Sequence, residues 1–276
     1  MLNVAVRSLE AISESALLDA EVLLCLALDT TRSSLRAWPD KLIPSDQQQR
    51  FLALLKDRQQ GTPIAYISGV REFWSRDFDV TPDVLIPRPD TELLVELSLN
   101  LIPLNQALNI LDLGTGSGNI AITLAAERPA SHVSASDSSS SALRIAERNA
   151  MKHDISNIQF YLSDWFASIP SGSFTLVVSN PPYIAENDAH LQQGDLRFEP
   201  YSALCAMENG LSAIRILADN ARHYLEPDGH LLIEHGYDQQ QSVTSIFEEC
   251  HYKNIKTFTD LSGQPRVTYG QKPGSN

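Results

Sequence analysis

The chain has 276 residues, of which 43% are hydrophobic and 20% charged, and a formal net charge of -13 from 34 acidic and 21 basic residues. This length and composition predict one or two folded domains with buried cores and exclude a disordered chain. Because an acidic protein repels phosphate backbones, the charge disfavours a protein that tracks nucleic-acid duplexes. The sequence contains no pattern of a signal peptide or membrane span, so we expect a cytoplasmic protein that does not bind membranes.

The three cysteines, Cys25, Cys205 and Cys250, form no CxxC pair and have no metal-ligand spacing. Isolated cysteines of this kind are typical of reduced and mostly buried thiols. We therefore expect no bound metal ion. The chain also has no heptad repeat and no unexplained apolar face, which favours a monomer.

Residues 1–62 have a helical pattern throughout. The segment 16–27 carries apolar residues at the helical period, which predicts one buried stripe of Ala16, Ala20, Leu23, Leu24 and Ala27. Ser45 with Gln48 three residues later resembles a capping box, and the expected buried face of the helix that follows is Phe51, Leu52, Leu54 and Leu55. No cluster of catalytic residue types occurs here, so we predict a helical domain that docks the substrate.

The pattern changes over residues 63–90, which we interpret as a linker. Residues 72–74 and 77–80 predict a short β-hairpin, and prolines at 82, 87 and 89 prevent a continuing helix. A helix is expected from about Asp90.

Residues 91–276 are predicted to form an α/β domain, because strand-like and helical patterns alternate from about residue 109. The predicted strands are 109–113, 132–136, 158–162, 174–179 and 230–234, and the helices are 119–127, 139–152, 209–225 and 239–250. This alternation favours a parallel, doubly wound, Rossmann-like sheet. The last two strand-like runs, 255–259 and 266–270, have no helix between them and predict an antiparallel final hairpin.

A glycine-rich loop follows the first strand of that domain. Its residues are Asp112, Leu113, Gly114, Thr115, Gly116, Ser117 and Gly118. A dinucleotide loop has the spacing G-x-G-x-x-G, and here the third glycine comes one residue early; a Walker loop would need a following Gly-Lys. The spacing D-x-G-x-G-x-G instead resembles the first motif of S-adenosylmethionine-dependent methyltransferases. In that case the loop holds the amino-acid tail and ribose, and Asp112 helps to orient the ammonium group.

Two further acidic residues end neighbouring strands. Asp137 ends the second strand, where a carboxylate can accept hydrogen bonds from both ribose hydroxyls, and a helix cap is an equally good explanation of an isolated Asp there. Asp164 ends the third strand and is expected to bind the adenine amine. Trp165 offers a flat apolar wall for the same ring, with a buried core Trp as the alternative.

The tetrapeptide Asn180-Pro181-Pro182-Tyr183 follows the apolar run 174–179 and is the predicted acceptor site. The Asn180 side-chain oxygen and the Pro181 carbonyl can each accept one N–H of a planar –NH2 group, which leaves the nitrogen lone pair facing the methyl donor. Pro182 stiffens the loop, and Tyr183 can stack on the acceptor. The motif predicts methylation of an amino group, and adenine N6, guanine N2 and a glutamine amide all fit it.

Seven segments together resemble the protein-glutamine N5-methyltransferases of the PrmC/HemK family. They are 86–92 (Ile-Pro-Arg-Pro-Asp-Thr-Glu), 112–118, 163–166 (Ser-Asp-Trp-Phe), 180–184, 192–195 (Gln-Gln-Gly-Asp), 197–200 (Arg-Phe-Glu-Pro) and 232–236 (Leu-Ile-Glu-His-Gly). This family modifies the glutamine of the Gly-Gly-Gln motif in class I peptide chain release factors. The resemblance covers nearly the whole chain and implies a small helical domain, a hairpin linker and a seven-stranded methyltransferase domain.

The resemblance also implies roles for individual residues. It places cofactor contacts at residues 114–118, Asp137, Trp165 and Asn180, and a glutamine-binding site at residues 180–183. We assign no role to Arg88 or Glu92 from the sequence. Two alternatives remain: a nucleic-acid amino-methyltransferase with the same tetrapeptide, which the acidic charge and the lack of Lys/Arg-rich stretches disfavour, and a non-catalytic binding protein, which the two intact loops disfavour.

Overall fold

The computed structural model describes residues 1–274, so the last two residues of the predicted methyltransferase domain lie outside the described residues. Two compact units are found within this range. One consists of Met1–Val70 and Ala189–Phe198, and the other of Arg71–Asp188 and the chain from Glu199 onward. The sequence prediction kept residues 189–198 with the methyltransferase domain, whereas in the structure this segment packs with the helical residues. The domain boundaries at 62 and 90 stay predictions.

The first unit is a small helical bundle. Its helices are α1 (Leu2–Leu9), α2 (Ala16–Leu28), α3 (Arg32–Ala37), α4 (Ser45–Gln59) and α5 (Ile64–Ser68). The predicted apolar stripe of α2 is confirmed, because all five of its residues are buried. On α4 the prediction is right for Phe51 and Leu55 and wrong for Leu52, which is 54% exposed. The short helix α5 lies where the sequence suggested a non-helical linker, and Gly69 ends it at a φ of +73°.

The predicted capping box at the start of α4 is wrong. Pro44 occupies the N-cap position, and Ser45 is already the first helical residue without a side-chain cap bond. The Gln48 side chain instead donates to the Ile43 carbonyl oxygen at 2.8 Å. A residue can cap a helix only from the non-helical position just before it, and proline takes that position here.

A buried arginine holds the segment 189–198 within the helical unit. The Arg58 side chain is only 8% exposed, and its Nε donates to Asp19 Oδ2 at 2.8 Å. Its Nη1 donates to Asp195 Oδ1 at 3.1 Å. Because a buried guanidinium is stable only when it is paired, these two carboxylates tie the segment to the bundle.

The predicted β-hairpin is present as β1 (Val70–Phe73) and β2 (Arg76–Asp79). Trp74 and Ser75 form the two-residue turn and both have positive φ, at 51° and 56°. Turns with positive φ at both central positions match the twist of paired strands.

The second unit contains the predicted α/β fold. Its strands are β3 (Asn109–Leu113), β4 (His132–Asp137), β5 (Ile158–Leu162), β6 (Phe174–Ser179), β7 (Ile184–Ala185), β8 (Cys205–Ala206), β9 (Leu225–Glu234), β10 (Lys253–Thr259) and β11 (Pro265–Gln271). Its helices are α6 (Glu92–Leu101), α7 (Asn119–Glu127), α8 (Ser140–Lys152), α9 (Tyr201–Leu204), α10 (Met207–Gly210), α11 (Ser212–Tyr224) and α12 (Gln240–Glu249).

Within residues 1–274 the central sheet has seven strands in the order β10-β11-β9-β6-β3-β4-β5. Strands β9, β6, β3, β4 and β5 are parallel, and β11 runs antiparallel to both β9 and β10. The predicted antiparallel final hairpin is therefore confirmed. Alternate residues cover the two faces of the sheet, with Ile110 and Leu176 in one core cluster and Leu111 and Val177 in the other.

The register of the sheet brings several strand ends to one edge. Leu113 of β3 pairs with Ser136 of β4 and with Ser179 of β6, and Ser179 also pairs with Ile233 of β9. The loops that follow these strands therefore leave the sheet side by side, and this is the edge at which open α/β sheets bind ligands. No helix in the described range has the length and apolarity to cross a membrane.

Candidate active site

A cavity of about 310 Å³ lies at this edge of the sheet. Its walls come from the loops after β3, β4, β5 and β6, from the segment before α6 and from the start of α9. The predicted site residues that line it are Gly114, Thr115, Gly116, Ser117, Asp137, Asp164, Trp165, Asn180 and Pro182. The predicted site residues outside the cavity lining are Asp112, Gly118, Pro181 and Tyr183.

The three glycines of the loop 114–118 have positive φ, at +75°, +56° and +83°. A Cβ on Gly116 would meet no protein atom within 4 Å, whereas a Cβ on Gly118 would lie 2.7 Å from Ile122 Cδ1 and 3.1 Å from Ala146 Cβ. Gly116 thus leaves room for a ligand beside the backbone, and Gly118 lets α7 pack closely against α8.

Asp112 lies beneath this loop and has no exposed surface. The Thr115 hydroxyl donates to Asp112 Oδ2 at 2.7 Å. Burial raises the pKa of Asp112 to about 7, although the Thr115 hydrogen bond acts in the opposite direction. The carboxyl supports the loop from below. Its predicted contact with the ammonium group of a ligand stays a prediction. Because the carboxyl is buried beneath the loop, it can act on that group only through the loop.

Asp137 lines the cavity at the end of β4. Its two oxygens accept backbone N–H groups, Oδ2 from Gly116 at 2.9 Å and Oδ1 from Ser139 at 2.9 Å. Burial raises the pKa of Asp137, and the backbone N–H groups oppose that rise. Each carboxylate oxygen has a further lone pair, so Asp137 can hold the loop and still accept ligand hydroxyls. The N-cap of α8 is Ser139 and not Asp137, because the Ser139 hydroxyl oxygen accepts a hydrogen bond from the backbone N–H of Ala142.

Asp164 and Trp165 lie together on the same wall of the cavity. Asp164 is exposed and Trp165 half-buried. The Trp165 backbone has a φ of +46°, and its ring atom Cζ3 lies 3.7 Å from the position that a Cβ on Gly114 would take. The indole ring therefore packs beside the glycine loop, where it can cover a flat ligand ring.

Asn180 is held by a residue that the sequence analysis did not single out. Its Nδ2 donates to the Thr91 hydroxyl oxygen at 3.1 Å, and Asn180 Oδ1 has no hydrogen-bond partner within residues 1–274. An amide that donates its N–H to the protein leaves its oxygen for a ligand N–H. The observed orientation is the one that the predicted clamp requires.

The rest of the tetrapeptide is fixed by long-range contacts. Pro181 is buried, and Gln239 Nε2 donates to the Tyr183 carbonyl oxygen at 2.9 Å. Gly210, with a φ of +85°, lies so close that an added Cβ would be 2.0 Å from that oxygen. Burial and the nearby Glu234 carboxyl raise the pKa of the Tyr183 phenol. The phenol is therefore neutral, and its stacking on an acceptor stays a prediction.

Arg88 forms part of the cavity wall and is paired with a buried acid. The Arg88 guanidinium donates to Glu199 Oε1, and Glu199 Oε2 accepts the Ile86 backbone N–H at 3.0 Å. This acid thereby holds the residues before α6 against the cavity. The motif at 86–92 marked the segment as important, but its partner is more than a hundred residues away and could not be inferred from the sequence.

The comparisons with known proteins decide the family. The N-terminal domain model of the PrmC family matches residues 1–69, and the methyltransferase small domain model matches residues 90–196. The release factor glutamine methyltransferase of Vibrio cholerae is 49% identical over 94% of this chain and 91% of its own length. Those of Shewanella oneidensis and Escherichia coli are 46% and 44% identical, over 96% and 98% of this chain and 93% and 97% of their own lengths. This chain belongs to the release factor glutamine methyltransferase family.

Solved structures support the fold of this family member. A methyltransferase from Pyrococcus furiosus superposes with a TM-score of 0.55 at 16% identity, over 83% of this chain and all of that chain. A 16S rRNA methyltransferase of T. thermophilus, solved with AdoMet and guanosine, gives a TM-score of 0.55 at 18% identity, over 74% of this chain and 49% of that chain. The predicted fold, a methyltransferase sheet with an antiparallel final hairpin after a helical region, is confirmed.

Proposed function

We propose that this chain transfers a methyl group from S-adenosylmethionine to the side-chain amide nitrogen (N5) of the glutamine in the Gly-Gly-Gln motif of class I peptide chain release factors. The observation that carries this proposal is the orientation of Asn180, whose Nδ2 donates to Thr91 and whose oxygen, at the cavity, has no hydrogen-bond partner among residues 1–274. An acceptor oxygen at that position suits a substrate that presents two N–H groups. The family membership supports glutamine as that substrate.

The residues at the cavity fit S-adenosylmethionine, which supplies an electrophilic methyl group when it is bound. Gly116 leaves open space beside the loop, where a Cβ would meet no protein atom. Asp137 has lone pairs for the ribose hydroxyls, while Asp164 and Trp165 lie together where the adenine is expected. We propose residues 114–118 and these three side chains as the cofactor site.

Residues 180–183 are the proposed acceptor site. Asn180 Oδ1 accepts one N–H of the glutamine amide, and the Pro181 carbonyl accepts the other. With both hydrogens held, the nitrogen lone pair points toward the methyl donor, and orientation of this kind can supply several kcal/mol of the barrier reduction. The proton that leaves the nitrogen passes to a carbonyl oxygen or to water. Pro182 stiffens the loop, and Tyr183 stacks on the amide plane.

The helical residues 1–62 are the proposed docking region for the release factor. Two large apolar side chains lie exposed near the end of α3, Trp38 at 71% and Leu42 at 92% exposure. Tryptophan is among the residues that most often anchor protein partners. We further propose that the protein acts as a cytoplasmic monomer and does not modify nucleic acid, in keeping with its net charge of -13.

An assay with labelled S-adenosylmethionine tests the function. The purified protein is incubated with a release factor, with the same factor carrying a substituted Gly-Gly-Gln glutamine, or with RNA and DNA. We expect label in the unmodified release factor alone. Label in nucleic acid, or label that persists after the glutamine is replaced, overturns the proposal.

A second assay tests docking separately. In the variant Trp38→Ser/Leu42→Ser, KM should rise for the whole release factor and stay constant for a short Gly-Gly-Gln peptide. An equal change with both substrates contradicts a docking role for these two residues.

A further inference from the structure

The Gln239 side chain joins the acceptor loop to two other parts of the chain. Its Nε2 donates to the Tyr183 carbonyl oxygen at 2.9 Å and to the Asn209 carbonyl oxygen at 3.2 Å. Its Oε1 accepts the Gly236 backbone N–H at 2.9 Å. A glutamine amide has two N–H donors, and both have a partner here. Because the side chain is also buried, these bonds fix it in one orientation against the last residue of the acceptor loop.

The topology explains why these three backbone segments meet. Tyr183 leads into β7, which pairs in parallel with β8, and α10 with Asn209 follows β8 directly. Gly236 comes two residues after the end of β9, and Gln239 is the N-cap of α12. Strands β6 and β9 are parallel neighbours, so the loops that follow them leave the sheet side by side. The start of α12 therefore lies next to the end of the acceptor loop.

The turn that contains Asn209 has an unusual backbone. Glu208, Asn209 and Gly210 all have positive φ, at 55°, 55° and +85°. The Cβ of a left-handed residue crowds its own backbone, so two such residues other than glycine in succession are strained. Gly210 has no Cβ, and an added one would overlap the Tyr183 carbonyl group. The turn thus keeps a strained shape in which its glycine packs directly against the acceptor loop.

The acceptor loop is held at both ends by side chains from distant parts of the chain. At its start the Asn180 amide donates to Thr91, and at its end the Tyr183 carbonyl accepts from Gln239. The two residues between these ends are prolines, whose rings fix their own φ angles. The ends of the loop are therefore the positions at which it can still move.

We propose that Gln239 is a positioning residue that fixes the Tyr183 end of the acceptor loop, so that the Pro181 carbonyl and the Tyr183 ring meet the substrate amide correctly. The proposal rests on the proposed function of residues 180–183 and deepens it. Gln239 lies outside the cavity lining and does not touch the substrate in this account. The turn 208–210 is the second part of the support, because Gln239 binds its Asn209 carbonyl and its glycine packs against Tyr183.

Loss of this support should affect orientation more than binding. In the proposed function the release factor docks on the helical residues 1–62, and S-adenosylmethionine binds the loops after β3, β4 and β5. A loop that moves at Tyr183 changes neither of these surfaces. It does lower the fraction of bound substrate whose nitrogen lone pair faces the methyl donor, and that fraction enters kcat.

The test uses the full-length protein and changes the support in three ways. Gln239→Met has nearly the same length and volume as the wild-type side chain and makes none of its three hydrogen bonds. Gln239→Glu keeps the Oε acceptor for Gly236 and lacks the two donors. Gly210→Ala displaces the Tyr183 carbonyl from the other side. Gly210→Ala is also combined with Gln239→Met.

Asn157→Leu is the matched control. The Asn157 Nδ2 donates to the carbonyl oxygens of Ala125 and Ser131 at 3.1 and 2.9 Å, so this amide also ties backbone segments together. It does so where β4 and β5 begin, at the edge of the sheet opposite to the cavity. A loss of stability without a change at the acceptor loop is therefore expected from this variant.

For each protein, kcat and KM are measured with a whole release factor, cofactor affinity by calorimetry and stability by thermal unfolding. We expect kcat to fall by about 10- to 100-fold in Gln239→Met and Gln239→Glu, as a small misplacement of a reacting group typically causes. KM and cofactor affinity should stay within about twofold of the wild type. Asn157→Leu should lose stability and keep the wild-type kcat. The combined variant should lose no more kcat than the worse single variant, because both changes move the same carbonyl.

Several results overturn the positioning role. These are a wild-type kcat in Gln239→Met, an equal loss of kcat in Asn157→Leu, a loss of cofactor affinity as large as that of kcat, or additive losses in the combined variant. Failure of both Gln239 variants to fold would assign the residue to stability and overturn the role as well. If only Gly210→Ala fails to fold, the Gln239 variants decide.

The same measurements separate this inference from the proposed function. A wild-type protein that does not methylate the release factor overturns the proposed function, and the positioning role with it. A wild type that methylates the factor at the same kcat as its Gln239 variants overturns the positioning role alone.

Discussion

The two loops of the site are built in different ways. The cofactor loop 114–118 is shaped by its own glycine backbone and by two acids, Asp112 near the end of β3 and Asp137 at the end of the adjacent strand β4. The acceptor loop 180–183 depends on partners from distant parts of the chain, among them Thr91 and Gln239. We propose that the first loop holds its ligand by shape and that the second presents one oriented oxygen. Changes in the two loops should therefore affect different measured quantities.

The largest effect is expected for Asn180→Ala. This change removes the acceptor oxygen and should lower turnover of a Gly-Gly-Gln peptide by about 10²–10³-fold, as the loss of one preorganised polar group typically does. Cofactor affinity, measured by calorimetry, should change far less. Asn105→Ala on an exposed loop is the matched control. Equal losses of turnover and cofactor affinity would contradict the proposal that the two loops have separate roles.

Two acids of the second unit, Asp112 and Glu234, are fully buried, and burial raises the pKa of each to about 7. Both acids bind protons more tightly in the folded state, so their contribution to the free energy of unfolding falls as the pH rises from about 4.5 to 7. Asp112→Asn and Glu234→Gln should thus gain stability relative to the wild type between pH 5 and pH 8, by up to about 3 kcal/mol.

Denaturant unfolding of both variants and of the wild type at pH 5 and pH 8 measures this gain. A stability difference that is the same at both pH values would show that neither acid has a raised pKa.

Substitutions at two glycines of the cofactor loop should change two different quantities, the free energy of unfolding and the affinity for the cofactor. Gly118→Ala forces a Cβ against Ile122 and Ala146 at positive φ and should lower the free energy of unfolding by roughly 2–3 kcal/mol. In Gly116→Ala the added Cβ has no atom of the described residues within 4 Å, so the loss of stability should be limited to about 1 kcal/mol of backbone strain. Cofactor affinity should fall clearly in Gly116→Ala. Thermal unfolding measures the loss of stability, and calorimetry measures the cofactor affinity. A larger loss of stability in Gly116→Ala than in Gly118→Ala would contradict the proposed roles.

The smallest effect is expected for Asp137→Asn. The amide can accept only one of the two backbone N–H groups that the carboxylate accepts, and it is a weaker partner for ribose hydroxyls. We expect cofactor affinity to fall by about tenfold, with peptide affinity in the presence of S-adenosylhomocysteine nearly unchanged. A loss of peptide affinity alone would contradict the assignment of Asp137 to the cofactor site.

Sequence patterns predicted the parts of the fold that depend on local order. The glycine spacing of the cofactor loop lies within seven residues, and the alternation of strands and helices identified the parallel sheet and its final hairpin. The bounds of β3, β5 and β6 match the prediction at both ends. β3 and β6 are buried on both faces, so they appear in the sequence as continuous apolar runs, whereas β5 lies at the edge of the sheet and is only partly buried.

The remaining features depend on tertiary contacts that no local pattern contains. Thr91 lies 89 positions from Asn180, and the acid that holds Arg88 lies 111 positions from it. The capping box failed because Pro44 already occupies the cap position. The packing of residues 189–198 in the helical unit follows from the ion pair of Arg58 with Asp195, whose partners are 137 positions apart. Contacts at such separations form only once the chain has folded.

Fragment mass spectrometry of a release factor tests the central claim most directly. The factor is incubated with S-adenosylmethionine and either the wild-type protein or Asn180→Ala, and the methylated position is then located. The account predicts one methyl group on the side-chain amide nitrogen of the Gly-Gly-Gln glutamine with the wild type, and almost none with Asn180→Ala. A methyl group on any other atom, or an equal yield with both proteins, would contradict it.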